Sequence, residues 1–218
     1  MGDQKMKITQ IQLGHEIFAN CYLLEDEKTG KCAIVDPGWY DEFITDILDE
    51  KNINPEYVLL THGHFDHILG VHGLQKERGA KVVIHEADAD HLLDPVKSLC
   101  EGNFPEPQHP VTADITVKDG DVIMLGEEEI KVMSTPGHTN GSVCYILEND
   151  RVIISGDTLF CMTAGRTDFP DGSDEKMIES LKKLIALDGN YDVLPGHNRA
   201  TTLESERKRN WYIRRMVK

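Results

Sequence analysis

The stretch Thr61-His62-Gly63-His64-Phe65-Asp66-His67 places three histidines and an aspartate within six residues. The apolar run Val58-Leu59-Leu60 precedes it, and apolar residues at helical spacing over Asp66–Arg78 follow it. A polar cluster between a buried strand and a helix lies at the strand's C-terminal mouth. Side chains converge there without entering a core. Imidazole and carboxylate are the ligands that suit zinc, iron or manganese. Side chains alternate along extended chain, so His62 and His64 aim to one side. Asp66 and His67 are adjacent and are expected to point away from each other, which leaves them available to a second ion.

Three further segments share this context. Ile130–Ser134 runs into Thr135-Pro136-Gly137-His138, Val152–Ile154 into Ser155-Gly156-Asp157, and Tyr191–Leu194 into Pro195-Gly196-His197. Each is a strand pattern ending in small residues and then a candidate ligand. Glycine just before a ligand lets the backbone approach a crowded centre. A lone histidine after Pro-Gly is ordinarily a turn residue. Four such strand ends together point to one centre.

The rest of the chain supplies a scaffold of strands with interspersed helices. Strands are expected at Ile8–Leu13, Cys21–Glu25, Cys32–Val35, Val58–Leu60 and Lys81–Ile84, then at Val122–Leu125, Ile130–Ser134, Ser142–Leu147, Val152–Ser155 and Tyr191–Leu194. Helices are expected over Asp41–Glu50, over Asp66–Arg78 with Gly79 as its cap, and over Glu86–Leu93. Another begins at the N-cap Ser173 and closes at Gly189, and a last one covers Leu203–Met216. Asp94–Thr112 holds four prolines and reads as a long surface loop over the site; Phe160–Gly172 is a second irregular stretch. The order of elements repeats in two halves divided near Asp114. That pattern predicts an α/β (α+β) architecture of two sheets face to face with helices outside, one domain over residues 1–218.

Composition bounds the function. The net charge is −15, which repels nucleic acid and anionic membrane surfaces. No apolar run approaches the ~18 residues of a membrane helix. Met1–Lys7 is polar, so no secretory leader is expected. Five cysteines at scattered positions, without a CxxC pair, read as reduced thiols in a cytoplasmic protein. His15, His72, His85, His91 and His109 fall outside the four motifs and are assigned to surface or supporting positions. The basic run Arg207–Arg215 reads as a closing helix that packs Trp211 or Ile213.

The set HxHxDH, TPGHTxGS, SGDTLF and PGH resembles the metallo-β-lactamase superfamily, nearly from Asp36-Pro37-Gly38 to Thr202. Within it, Gly156-Asp157-Thr158-Leu159-Phe160 followed by Gly165-Arg166-Thr167-Asp168-Phe169-Pro170 is similar to glyoxalase II-type (hydroxyacylglutathione hydrolase-like) proteins. Two-domain members carry a further helical domain after the last metal histidine. Here only Asn198–Lys218 follow, so the chain resembles the single-domain subgroup. Asn198-Arg199 stands where that group has Gly-Pro.

The resemblance implies a four-layer αββα sandwich with a metal site at the edge of the two sheets. It implies two divalent ions, zinc foremost, with iron or manganese also accommodated. His62, His64 and His138 would hold the first, Asp66, His67 and His197 the second, and Asp157 would bridge them. Asp36 and Thr139 would support these residues without ligating, and Arg166 with Asp168 would pin the irregular loop. The implied activity is hydrolysis of a small-molecule thioester, such as an S-hydroxyacylglutathione, by a metal-bridging hydroxide that Asp66 orients. A mononuclear-iron persulfide dioxygenase and a lactonase-type hydrolase are the alternatives on this scaffold.

Overall fold

The computed structural model describes residues 6–14 and 18–216; His15 lies outside the described residues. The first sheet contains β1 (Lys7–Gly14), β2 (Phe18–Asp26), β3 (Lys31–Val35), β4 (Tyr57–Leu59), β5 (Lys81–His85) and β6 (Ile115–Val117), in that spatial order. The strands β1 to β3 pair antiparallel and β3 to β6 pair parallel. Parallel neighbours need crossovers. Helix α1 (Glu42–Glu50) supplies one, and α2 (Phe65–Ile68) with α3 (Val71–Arg78) supplies the next.

The second sheet starts with β7 (Val122–Leu125), β8 (Glu128–Ser134), β9 (Val143–Leu147) and β10 (Val152–Gly156). A small hairpin, β11 (Leu159–Phe160) with β12 (Thr163–Ala164), and helix α4 (Asp174–Ile185) come next. Then β13 (Asp192–Pro195) pairs parallel with β10, and β14 (Thr201–Thr202) closes the edge. Helices α5 (Leu203–Arg209) and α6 (Trp211–Met216) end the chain. The sheet boundary falls between Val117 and Val122, close to the division expected near Asp114.

Three hydrophobic cores make four layers. Ile34, Val58, Leu60 and Val82 pack with Ile44, Leu48 and Leu74 of the helices on the first sheet's outer face. Tyr22, Val35, Leu59 and Val83 meet Ile130, Val132, Tyr145 and Ile154 between the sheets. Cys144, Ile146 and Val193 pack with Met177, Leu181 and Leu184 on the far side. Strands β9 and β10 are buried at every residue, as strands covered on both faces must be. Tyr145 Oη donates to the Leu60 carbonyl at 2.8 Å and Tyr22 Oη to the Pro195 carbonyl at 2.6 Å, so the two central tyrosines satisfy strand-end carbonyls beside the site.

The structure departs from the sequence pattern where tertiary contacts decide. The single helix expected over Asp66–Arg78 breaks before α3 at Gly70, whose amide donates to the Pro37 carbonyl at 2.8 Å. A Cβ on Gly70 would strike the carbonyls of Trp39 and Pro37. Gly79 caps α3 with φ +68°. The segment expected as a helix over Glu86–Leu93 is a 3₁₀ turn over Glu86–Leu92. Ser173 caps α4 as expected, but that helix ends at Ala186, before Gly189. Arg207 donates to the carbonyls of Ile185, Leu187 and Gly189, which satisfies that end. The last helix divides at Asn210, whose side-chain oxygen accepts from the amides of Tyr212 and Ile213. Ile213 is buried there and Trp211 stays exposed. Strands β6, β11, β12 and β14 are short pairings that the pattern does not reveal.

All five cysteines are free thiols, and burial pushes Cys144 up to about 11, so it stays protonated. Among the described residues no helix is long and apolar enough to cross a membrane.

Leu59 is 0% exposed at the centre of the inter-sheet core. Leu59→Ala is expected to lower unfolding stability by about 2–5 kcal/mol in urea titration at an unchanged m-value. A loss below about 1 kcal/mol would show that the two sheets do not depend on this contact.

Candidate metal centre

Four strand ends deliver the candidate ligands. The loop after β4 carries His62, His64 and, at the start of α2, Asp66 and His67. The loops after β8, β10 and β13 carry His138, Asp157 and His197. The structure brings all seven together. Ligand atoms of His62, His64 and His138 lie within 4.8 Å of one another, and so do those of Asp66, His67 and His197. Asp157 sits between the two groups. Its Oδ2 is 3.5 Å from His138 Nε2 and 3.6 Å from His197 Nε2, and its Oδ1 is 3.6 Å from His67 Nε2.

One sequence expectation is corrected. Asp66 and His67 do not point apart. Asp66 Oδ2 is 3.7 Å from His67 Nε2 and 3.2 Å from His197 Nε2. Adjacent side chains at a helix start are about 100° apart, not opposed as in a strand, so both reach one point.

The outer ring nitrogens explain why the inner ones converge. His67 Nδ1 donates to Asp36 Oδ2 at 3.1 Å, His138 Nδ1 to the Arg166 carbonyl at 2.7 Å, and His197 Nδ1 to the Phe18 carbonyl at 3.0 Å. His62 Nδ1 meets Thr61 Oγ1 at 3.1 Å. Each of these bonds fixes the tautomer and turns an Nε2 lone pair inward. The inner atoms then face one another: His64 Nδ1 is 2.9 Å from His138 Nε2, and His67 Nε2 is 3.2 Å from His197 Nε2. His62 Nε2 and Asp157 Oδ1 are buried with no hydrogen-bond partner. Converging acceptors and orphaned buried lone pairs fit a cation.

The titration behaviour follows the same charges. Burial, reinforced by the neighbouring histidines, pushes His62 well below the ordinary imidazole value. Burial lowers His64 to about 2. Burial would also lower His67, but the carboxylates of Asp66, Asp157 and Asp36 outweigh it and raise that ring to about 10. Burial would raise Asp66, but His67, His197 and His64 hold it below the usual carboxylate range. Asp66 is therefore an ionised acceptor at neutral pH.

Supporting residues stand behind this layer. Asp36 takes φ +51°, and its carboxylate accepts from Thr61 N at 2.8 Å and from Thr61 Oγ1 at 2.5 Å besides His67. Thr139 Oγ1 donates to Asp88 Oδ2 at 2.7 Å, and its amide donates to Ser142 Oγ at 3.0 Å. Gly196 is one position where glycine is required: a Cβ there would collide with Asp157 Oδ1 and His67 Cε1. Arg166 donates to both carboxylate oxygens of Asp168 at 2.7 Å, and its own carbonyl orients His138.

Asp88 was missed in the sequence. It is 0% exposed and accepts from the amides of Gly63 at 3.0 Å and Gly141 at 2.6 Å as well as from Thr139. One carboxylate thus ties the His62–His64 loop to the His138 loop. Its one sequence signal is an acid inside an otherwise ordinary short helix pattern. His91, also buried, is hydrogen-bonded through Nε2 to Asp171 Oδ2 at 3.1 Å, which anchors the second irregular loop. Beside the centre opens a cleft of about 590 Å³, lined in part by Phe65, Leu99, Asn103, Phe160, Phe169 and Asn198. Leu99 and Asn103 come from the proline-rich loop, which therefore does border the site.

Comparison with known proteins identifies the family. The family model of the metallo-beta-lactamase superfamily matches residues 16–197. An uncharacterized protein of Mycobacterium leprae is 40% identical over 89% of this chain and 93% of its own length. A probable metallo-hydrolase of Bacillus subtilis, YqgX, is 31% identical over 95% and 98%. A hydroxyacylglutathione hydrolase of Haemophilus influenzae, GloC, is 29% identical over 89% and 92%. Among solved structures, BLEG-1, a B3 metallo-beta-lactamase, superposes with TM-score 0.89 at 31% identity over 95% and 99%. TTHA1623 in a di-iron-bound form gives 0.83 at 29% over 94% and 99%. The chain belongs to the metallo-β-lactamase superfamily.

Asp88→Ala is expected to weaken divalent-metal binding about 10- to 100-fold in a chelator-competition titration, with far-UV circular dichroism retained. Unchanged affinity would show that the two histidine loops hold their places without this carboxylate.

Proposed function

We propose that the chain hydrolyses thioesters with a two-metal centre held by His62, His64 and His138 on one side, Asp66, His67 and His197 on the other, and Asp157 between. The observation that carries this reading is the pair of three-ligand clusters sharing Asp157 at the base of an open cleft. Bound divalent ions would supply Lewis acidity toward the carbonyl oxygen and a water acidic enough to attack at neutral pH. The protein's own groups do the rest. Asp66, ionised and 15% exposed, accepts a hydrogen bond from the attacking water and aims it. His138 and His197, pinned by the carbonyls of Arg166 and Phe18, keep their positions as substrate enters. Phe65 and Phe169 exclude bulk water from one wall. Attack forms the C–O bond, the C–S bond breaks, and the products are a carboxylic acid and a thiol.

The name of the Haemophilus relative supports a thioester among the substrates that such a centre can cleave. The metal reading is zinc; histidine and carboxylate donors also suit iron, and one structural neighbour is a di-iron-bound form. The partner is a small molecule, since a net charge of −15 opposes nucleic-acid binding.

The test is turnover by metal-loaded protein of S-lactoylglutathione and of S-acetyl-N-acetylcysteamine. His64→Ala and Asp157→Ala are each expected to reduce kcat/KM by at least about 10³-fold, while Asp66→Asn lowers kcat more than it changes KM. Oxygen uptake with glutathione persulfide, without thioester turnover, would contradict the proposal and favour the dioxygenase alternative.

A further inference from the structure

Away from the candidate ligands, the cleft beside the centre carries an apolar wall of Phe65, Leu99, Phe160, Ala164 and Phe169 among polar side chains, and one of these rings is clamped. The ring of Phe169 crosses His64 edge-on at 5.1 Å between centroids and His138 at 5.6 Å. The guanidinium of Arg166 lies over the Phe169 ring, 4.3 Å from its centroid. Arg166 is itself held by the two parallel hydrogen bonds to Asp168. The stack runs Asp168, Arg166, Phe169, then the two histidines. The arginine and aspartate, which the sequence reading gave a loop-pinning role, thus fix the wall of the cleft.

The one arginine lining the cleft is already ion-paired with Asp168, both side chains being largely exposed. Beyond the candidate metal ligands, Arg166 is the one cation among the described residues that line the cleft, and its Nε and Nη2 are both turned to Asp168. Phe65, Leu99 and Phe160 supply further apolar surface, and Asn103 and Asn198 supply amides. A thiol carrier bearing carboxylates or phosphates would lose hydration against this wall and gain no free cation. An uncharged thioester with an apolar acyl group loses little and gains contact with three phenyl rings.

We propose that the site selects thioesters of uncharged thiols carrying apolar acyl groups over those of anionic thiols, with Phe169 as the specificity-determining residue and the Asp168-paired Arg166 as its clamp. This rests on the thioester-hydrolase reading above and narrows it.

The experiment compares kcat/KM of the metal-loaded protein for acetyl, butyryl and hexanoyl thioesters of N-acetylcysteamine and for S-lactoylglutathione. The expected result is a rise of about fourfold for each methylene fully buried, with the hexanoyl thioester at least about 10-fold above S-lactoylglutathione. Phe169→Ala flattens the chain-length series, and Phe169→Leu keeps most of it. Asp168→Asn, which frees Arg166, raises S-lactoylglutathione relative to the uncharged substrates. Ratios between substrates are internal to each sample, so partial misfolding of a variant does not imitate these shifts. A flat series in the parent protein, or S-lactoylglutathione as its best substrate, would overturn the proposal. If no thioester is cleaved at all, the hydrolase reading fails, and calorimetric binding of two uncleavable thioethers decides the wall by itself. Tighter binding of S-hexyl-N-acetylcysteamine than of S-hexylglutathione supports the apolar selection; the reverse order overturns it.

Discussion

One buried carboxylate sets the geometry on which the centre depends. Asp36 closes β3 in a left-handed conformation, φ +51°, that aspartate tolerates better than most residues. From there it accepts from the amide and hydroxyl of Thr61, at the end of β4, and from Nδ1 of His67. Two adjacent strand ends and the first turn of α2 are thereby fixed to one group. Thr61 in turn meets His62, so the tautomers of two candidate ligands follow from a single anchor. Asp88 repeats the device across the sheets by joining the loops of His62–His64 and His138. A buried charge that accepts several hydrogen bonds is stable where an unpaired one would not be.

The consequence is a set of lone pairs that the fold forces together. The Nε2 atoms of His67 and His197 lie 3.2 Å apart with both Nδ1 protons committed outward, an arrangement that is unfavourable between neutral rings unless a cation fills the gap. The carboxylates of Asp66, Asp157 and Asp36 favour positive charge at His67. Divalent ions satisfy more of these groups at once. Folding energy from three apolar cores is what allows the chain to hold such a cluster before it is filled.

The four motifs were legible because each combines a strand pattern, a small residue and a ligand type within a few positions. The two-sheet architecture and its division near Asp114 were legible for the same reason: strand periodicity is local. What escaped depends on distant contacts. The break at Gly70 arises from the carbonyls of Pro37 and Trp39, more than thirty positions away, and no helical periodicity reports it. Asp88 looks like a helix residue, and its partners lie at Gly63, Thr139 and Gly141. Asp66 and His67 converge, where strand alternation would set them apart, because α2 has already begun at Phe65. The role of Phe169 appears only when Arg166, His64 and His138 are seen around its ring.

The converging lone pairs have one purpose if they hold metal. Elemental analysis of protein purified without added metal, set against protein concentration, measures this directly. The expected result is about two divalent ions per chain, falling to one or fewer in Asp157→Ala. A protein that retains its fold yet carries no metal, and takes up none when zinc, iron or manganese is offered, would contradict the account.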